Sequence, residues 1–201
     1  SDETLGKVKE IIGDMPIHIH VAESWIDQEN CLSYNGERVV ERLARHGILN
    51  KNSILSHCIH INEKEAELIA VNECYAALNI RSNMNNAVGL PDFKLLKDSG
   101  VRCLIGNDGM SAGMMGEWTS LYYAMKHRYS SPSAFGLDDL LEVIDNNYSY
   151  INKTTGSRIG RIEKGYDADL LSVEYEPPTP MEAGNALGQL VFGLSANFTQ
   201  E

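Results

Sequence analysis

The sequence lacks several features that would mark a secreted, membrane-bound or nucleic-acid-binding protein. Its four cysteines form no Cys-x-x-Cys pair, so we predict reduced thiols in a cytoplasmic protein, without a disulfide frame or a thiolate zinc site. No apolar run approaches the roughly 20 residues that span a bilayer, and residues 1–10 do not resemble a signal peptide. The net charge of −11 argues against nucleic acid and anionic membrane as partners.

What is present is the composition of an ordinary globular chain of 201 residues, 43% of them hydrophobic and 22% charged. Short β-prone runs alternate with amphipathic stretches of helical period. The predicted strands cover residues 17–22, 53–59, 76–80 and 101–105. The predicted helices cover residues 37–46, the segment after Asn62, and residues 93–99, 118–127 and 138–146. Successive strand–helix units predict an α/β fold with a parallel sheet, of a size to form about half of a (β/α)₈ barrel.

The carboxy-terminal part departs from this alternation. Residues 160–175 (GRIEKGYDADLLSVEY) predict a turn and a strand outside the repeating pattern. Prolines at 177, 178 and 180 then precede an apolar helix predicted near residues 181–194. We therefore divide the chain into a partial barrel at residues 1–155 and a strand-and-helix segment at residues 156–201.

Titratable side chains follow the predicted strands at the points where those strands end. His20 and Glu23 come from the first strand, His57 ends the second, and Asp108 follows the fourth between two glycines. Because the carboxyl ends of parallel strands share one rim, we expect these side chains to converge. Two imidazoles and a carboxylate suit Zn²⁺ or Fe²⁺, and Glu23 is placed to carry protons. The sequence therefore predicts a catalytic metal site with an open position for water.

Plainer interpretations of single residues stay open. His18 and His60 are better explained as hydrogen-bonded core residues, and Asp108 between glycines is equally consistent with a turn. Cys58 beside His57 raises the further hypothesis of a cysteine-dependent hydrolase. Neighbouring residues of a strand face opposite sides, which argues against that dyad.

Several segments occur in the order found in a known enzyme family: IHIHVAES, LSHCIHINEKE, RSNMNN, LIGNDG and GRIEKGYDADLL. Together they resemble the amidohydrolase superfamily of metal-dependent hydrolases, and most of all its chlorohydrolase and guanine-deaminase-like branch. The later segment EPPTPMEAGNALGQLVFGLSAN also resembles an aminohydrolase linked to selenium metabolism. The resemblance covers nearly the whole chain. It implies a distorted (β/α)₈ TIM barrel with a small β-sandwich domain built from both chain ends.

The resemblance also implies a role for each strand-end residue. His20 matches a metal ligand of the fifth barrel strand, and Glu23 matches the glutamate that shuttles protons. His57 matches the sixth-strand histidine that ligates the metal or contacts its water. Asp108 matches the eighth-strand aspartate that binds the metal and takes a proton from water. The implied reaction is attack of metal-bound hydroxide on a C–N bond, or a C–Cl bond, of a small heterocyclic substrate, with zinc or iron as the metal.

One part of the family pattern is missing from the sequence. The family's first strand carries a His-x-His pair that supplies two metal ligands, and His18-x-His20 does not match it because Glu23 follows as on the fifth strand. We therefore predict that the chain is the C-terminal half of the barrel, strands five to eight, with two ligands expected from a missing N-terminal half. That half, or self-association of the open sheet edges, is the expected partner, in a parent protein that forms a homo-oligomer.

We expect the isolated chain to be inactive, because His20, His57 and Asp108 leave the metal only partly coordinated. The alternative hypothesis is a non-catalytic binding or assembly module that retains the scaffold. That alternative predicts no tight metal uptake, and no gain of activity when the missing half is supplied.

Overall fold

A computed structural model describes residues 1–195, while residues 196–201, the end of the predicted segment 156–201, lie outside the described residues. Helices alternate with short strands along most of the chain. In chain order, the elements are α1 (Asp2–Ile12), β1 (His18–Val21), α2 (Trp25–Asn35), α3 (Val39–Arg45), β2 (Ile54–His57), α4 (Glu63–Val71), β3 (Tyr75–Leu78), α5 (Ile80–Asn85), α6 (Phe93–Asp98), β4 (Arg102–Ile105), α7 (Met114–Arg128), α8 (Leu137–Thr155) and α9 (Ala186–Gly188), which continues as a π-helix (Gln189–Leu194).

Within the described residues, the strands form one parallel four-stranded sheet in the order β1-β2-β3-β4. The register aligns Val21 with His57, and Leu78 with Ile105. Every residue of β3 is buried, whereas His18 and His20 on the edge strand β1 are exposed. This confirms the predicted α/β class with parallel strands in chain order. Their assignment as strands five to eight of a barrel stays a prediction.

The ends of the helices follow from local sequence. Asn62 caps α4 by accepting a hydrogen bond from the Glu65 amide at 2.9 Å, and the Glu65 carboxylate accepts from the Asn62 amide at 3.1 Å. The chain leaves α3 through Gly47, whose φ of 65° lies in the left-handed region that glycine adopts readily. The same capping pattern begins α2, where Ser24 accepts from Ile26 and Asp27 accepts from the Ser24 amide. Neither α2 nor α5 is among the helices predicted from the sequence.

The chain divides into two compact units, of which the second begins at Gly109. The first unit contains the whole sheet and has a core that includes Leu55, Ile69 and Leu78. The second contains α7 and α8, and Thr119 of α7 donates a hydrogen bond of 2.9 Å to the carbonyl of Val191. The domain boundary predicted at residues 155/156 stays a prediction. No helix among residues 1–195 has the length and apolar character needed to cross a bilayer.

Residues 156–185 form neither helix nor strand. The strand predicted within residues 160–175 is therefore wrong, and no β-sandwich is seen in the part of the chain that the structure describes. A strand needs a neighbouring strand for its backbone hydrogen bonds, and none of β1–β4 pairs with this segment. Its apolar side chains consequently lie in solvent, as Ile162 (91% exposed) and Leu171 (76% exposed) show. The apolar helix predicted near residues 181–194 is present but begins later, at Ala186.

Candidate active site

The carboxyl ends of the strands are marked by unusual backbone conformations. Ala22, His57, Cys58 and Asp108 all have positive φ values, between 48° and 73°. Residues other than glycine pay about 1–3 kcal/mol for such conformations, which concentrate at active sites and ligand clamps. These strained residues therefore lie at the same strand ends as the site residues predicted from the sequence.

His57 occupies the centre of this rim. Its side chain is completely buried, and its Nε2 atom lies 3.6 Å from Oε2 of Glu23 and 3.8 Å from Oδ2 of Asp108. Among residues 1–195, Nε2 has no hydrogen-bond partner. The carboxylates of Glu23 and Asp108 are 26% and 30% exposed, so the cluster is open on one side. The structure thus brings together the three residues predicted to be catalytic; their roles stay predictions.

Two neighbouring residues contact members of this cluster. Neither was assigned a role from the sequence. Asn83 places its amide oxygen 2.7 Å from Nδ1 of His57, and Ser82 donates a hydrogen bond of 2.6 Å to Oδ2 of Asp108. Both residues are buried and lie in α5, directly after β3. The available signal was the Ser-Asn pair at the end of a predicted strand. The partners of this Ser-Asn pair could not be predicted from it, because they depend on which strands lie on either side of β3.

His20 lies beside His57 and contacts it edge to face, with 5.2 Å between the ring centroids. It also lines a cavity of about 560 Å³ together with Glu23 and with polar side chains of α2 and α3, among them Asn30 and Arg42. The structure therefore places His20 next to the cluster, on the exposed edge strand.

Two other histidines make the hydrogen bonds that the plainer interpretation predicts. His18 lies 2.9 Å from the Ser56 hydroxyl, although its side chain is exposed and not in the core. His60 lies 2.9 Å from the carbonyl of Val88 and packs against the ring of Trp25. These contacts give both histidines a structural explanation.

Cys58 does not support a cysteine-dependent mechanism. Burial raises the pKa of its thiol well above the usual range, and its sulfur donates to the carbonyl of Leu55 at 3.5 Å. A nucleophilic cysteine needs a thiolate, which a lowered pKa and partial exposure provide. The buried Cys58 has neither property.

A second buried polar cluster, here called the support cluster, consists of Gln28, Arg38 and Glu65. The Glu65 carboxylate is completely buried and accepts from the Arg38 guanidinium at 2.6 Å and from the Gln28 amide at 3.1 Å. It also accepts from the backbone amide of Val40 at 3.1 Å. Arg38 and Gln28 both donate to the carbonyl of His60. The support cluster therefore fixes the loop that follows His57.

The residues at the rim fit a divalent metal ion in part. Nε2 of His57 is a buried nitrogen without a hydrogen bond, which is the condition of a histidine that ligates through its lone pair. Its other nitrogen is held by Asn83, as ligating histidines require. Among residues 1–195, however, no three His, Cys, Asp or Glu side chains are arranged to hold a metal. The predicted set of His20, His57 and Asp108 is thus gathered on one rim without forming a closed site.

The sequence profile of the Amidohydrolase family matches residues 2–199. The chain belongs to the amidohydrolase family. The family assignment confirms the resemblance carried by the ordered strand-end segments.

Curated relatives in this family include deaminases. A 5-methylthioadenosine/S-adenosylhomocysteine deaminase from Syntrophomonas wolfei is 28% identical over 186 residues, which are 90% of this chain and 43% of the relative. A 5′-deoxyadenosine deaminase from Methanopyrus kandleri is 27% identical over 203 residues, covering 98% of this chain and 47% of the relative. The chain thus spans less than half the length of these amidohydrolases.

Solved amidohydrolase structures share the fold. An adenosine deaminase from Xanthomonas campestris, crystallised with bound zinc, superposes with a TM-score of 0.77 at 25% identity, covering 96% of this chain and 45% of that one. The E. coli guanine deaminase superposes with a TM-score of 0.69 at 20% identity, covering 84% of this chain and 40% of that one, and supports the fold alone.

Proposed function

We propose that this chain carries half of the active site of a metal-dependent aminohydrolase, which releases ammonia from an amino-substituted heterocycle. The observation that carries the proposal is the buried, unpartnered Nε2 of His57 between the carboxylates of Glu23 and Asp108. An aminopurine is the proposed substrate class, because the similar proteins from S. wolfei and M. kandleri are named as deaminases of adenine nucleosides. Hydrolysis of a C–Cl bond is the alternative reaction for the same site, and a chlorotriazine substrate tests it.

The chain's own residues are suited to moving protons. Glu23 is partly exposed and can deliver a proton to the ring nitrogen or the leaving amine of a bound substrate. Asp108 can accept a proton from the attacking water, and the Ser82 hydroxyl holds its carboxylate in place. His57 is oriented by Asn83 so that Nε2 faces both acids.

A zinc or iron ion is the proposed cofactor, with His20, His57 and Asp108 as its ligands from this chain. When bound, such an ion supplies activation of water for attack at neutral pH. Support comes from the lone nitrogen of His57 and from the solved adenosine deaminase with bound zinc. The same residues can be tested for metal uptake separately from catalysis.

We further propose that a second polypeptide segment completes the site. The edge strand β1 exposes His18 and His20, and an open strand edge is a template for pairing. The missing N-terminal half of the barrel is the proposed partner, with pairing of two copies of this chain as the other outcome. The buried thiols of the four cysteines are consistent with a cytoplasmic location. Light scattering distinguishes the outcomes, since a well-folded monomer of the purified chain would contradict self-association.

Ammonia release tests the catalytic proposal. The purified chain is supplied with Zn²⁺ or Fe²⁺ and assayed on adenosine, 5′-methylthioadenosine, guanine and a chlorotriazine. The assay is repeated with the chain co-expressed with the amino-terminal half of a family member. We expect chelator-sensitive deamination only in the co-expressed sample, and a loss of about 10²–10⁴-fold in Glu23→Gln.

The matched control is Glu29→Gln, which makes the same change at an exposed carboxylate of α2 that accepts a hydrogen bond from the indole of Trp25. Activity that resists chelation, or that survives in Glu23→Gln, would contradict the proposed roles. A co-expressed sample with neither metal uptake nor ammonia release would favour the non-catalytic module instead.

A further inference from the structure

The site contains two adjacent polar residues that touch two different members of the cluster. Ser82 and Asn83 are buried side by side in α5. Strand β3 lies between β2 and β4, so the chain that leaves its carboxyl end passes between His57 and Asp108. The topology thus gives one short segment access to both residues.

The contact between Asn83 and His57 assigns the imidazole proton. The amide oxygen of Asn83 lies 2.7 Å from Nδ1. An amide oxygen only accepts, so this orientation of the Asn83 side chain favours a hydrogen on Nδ1. Two carboxylates favour a proton on the other nitrogen, Nε2. That atom lies 3.6 Å from Glu23 and 3.8 Å from Asp108, and a proton on it would be attracted to both. In the neutral imidazole a hydrogen on Nδ1 leaves the lone pair at Nε2, and the Asn83 contact favours that tautomer.

The contact between Ser82 and Asp108 fixes a carboxylate on a strained backbone. Asp108 has a φ of 51°, and its Oδ2 accepts from Ser82 at 2.6 Å. That same oxygen is the one nearest Nε2 of His57. The hydroxyl therefore sets the distance between the two groups that would act together on water.

We propose that Ser82 and Asn83 are positioning residues of the active site: Asn83 selects the Nδ1–H tautomer of His57, and Ser82 holds Asp108 Oδ2 toward the free nitrogen. The catalytic meaning of these contacts rests on the proposed function. The tautomer itself is a property of this chain, and it can be measured without substrate, metal or partner.

Nitrogen NMR of the histidine-labelled chain tests the assignment to Asn83. At alkaline pH, where an ordinary imidazole is neutral, the wild-type spectrum is expected to show a protonated Nδ1 and an unprotonated Nε2 for His57. In Asn83→Ala the ratio of the two tautomers should fall about fivefold or more toward Nε2–H, the effect of one net hydrogen bond. Asn83→Asp keeps an acceptor and should retain the wild-type tautomer.

Asn85→Ala is the matched control, because Asn85 lies in the same helix, is exposed and contacts Asn86. A wild-type ring protonated at Nε2, or an Asn83→Ala ring that keeps the Nδ1 proton, would overturn the assignment. If Asn83→Ala fails to fold, the wild-type spectrum and Asn83→Asp still test the assignment, because a ring protonated at Nε2 in either one would overturn it.

The role of Ser82 is tested by steady-state kinetics of the chain co-expressed with the amino-terminal half of a family member. Ser82→Ala should lower kcat about tenfold with little change in KM, since one hydrogen bond to a charged group is lost from the acid and not from the substrate. Ser82→Thr retains the hydroxyl and should restore most of kcat. An unchanged kcat in Ser82→Ala would overturn this role. If no deamination is found while the predicted tautomer is observed, the proposed function fails and the positioning of His57 stands.

Discussion

Two polar clusters lie in the first unit of the chain, and they differ in whether their buried polar atoms have hydrogen-bond partners. In the support cluster the Glu65 carboxylate has partners from Gln28, Arg38 and the backbone. The site cluster consists of Glu23, His57, Ser82, Asn83 and Asp108. Two of its buried nitrogens, Nε2 of His57 and Nδ2 of Asn83, have no hydrogen bond within the described part of the chain. The site cluster also includes left-handed backbone at His57 and Asp108.

The difference separates residues that stabilise the fold from residues that are proposed to bind a ligand. A buried polar atom without a partner costs about 1–3 kcal/mol, so its retention calls for an explanation outside stability. A fully satisfied network costs much less and rigidifies its surroundings. The support cluster can therefore stabilise the loop after β2, while the unsatisfied atoms of the site cluster fit the ligand-binding role proposed for them.

Breaking the support cluster should have the largest effect on stability. Glu65→Ala removes the buried acceptor of Arg38 and Gln28 and should destabilise the chain by about 3–5 kcal/mol, as measured by denaturant unfolding. Glu67→Ala is the control, because it makes the same change at an exposed position of the same helix and should cost less than about 0.5 kcal/mol. A loss below about 1 kcal/mol in Glu65→Ala would show that the cluster does not hold the loop.

An exposed ion-pair group should have a smaller effect that depends on pH. Hydrogen bonds from Arg42 and Arg45 hold the pKa of Asp2 well below its usual range. A carboxyl whose pKa is lowered on folding stabilises the chain above its unfolded pKa of about 3.9, and this stabilisation is lost as the pH falls further toward the folded pKa. Asp2→Asn should therefore lose stability at neutral pH, and its difference from wild type should shrink in unfolding experiments below about pH 4.

The control for Asp2 is Glu3→Gln, which removes an exposed pair with Lys7 only. Because the Asp2 group lies at the surface, added salt should reduce its contribution. A difference between Asp2→Asn and wild type that grows as the pH falls would contradict the assignment.

These clusters also show how far the sequence can predict the structure. The strand ends and their order were predictable, because alternation of strands and helices is a local pattern and parallel strands share a rim. The Asn62 and Glu65 cap was predictable for the same reason, since both partners lie within four residues. The equivalent signal before α2, Ser24 followed by Asp27, was available in the sequence and was missed.

Other features depend on distant contacts and could not be predicted. The role of Asn83 depends on β3 lying beside β2, and the partners of Glu65 come from α2 and the start of α3. The strand expected within residues 160–175 fails for the same reason, because local β propensity is insufficient without a neighbouring strand.

Changing the site cluster should have the smallest effect on stability. Glu23 and Asp108 place two carboxylates within 4 Å of one buried nitrogen, where like charges repel. Glu23→Gln keeps the shape and removes one charge, so the free energy of unfolding should stay within about 0.5 kcal/mol of wild type or rise slightly. Glu29→Gln, at an exposed carboxylate of α2, provides the baseline for the same substitution. A loss of more than about 2 kcal/mol in Glu23→Gln would place Glu23 among the residues that hold the fold, and the contrast between the two clusters would disappear.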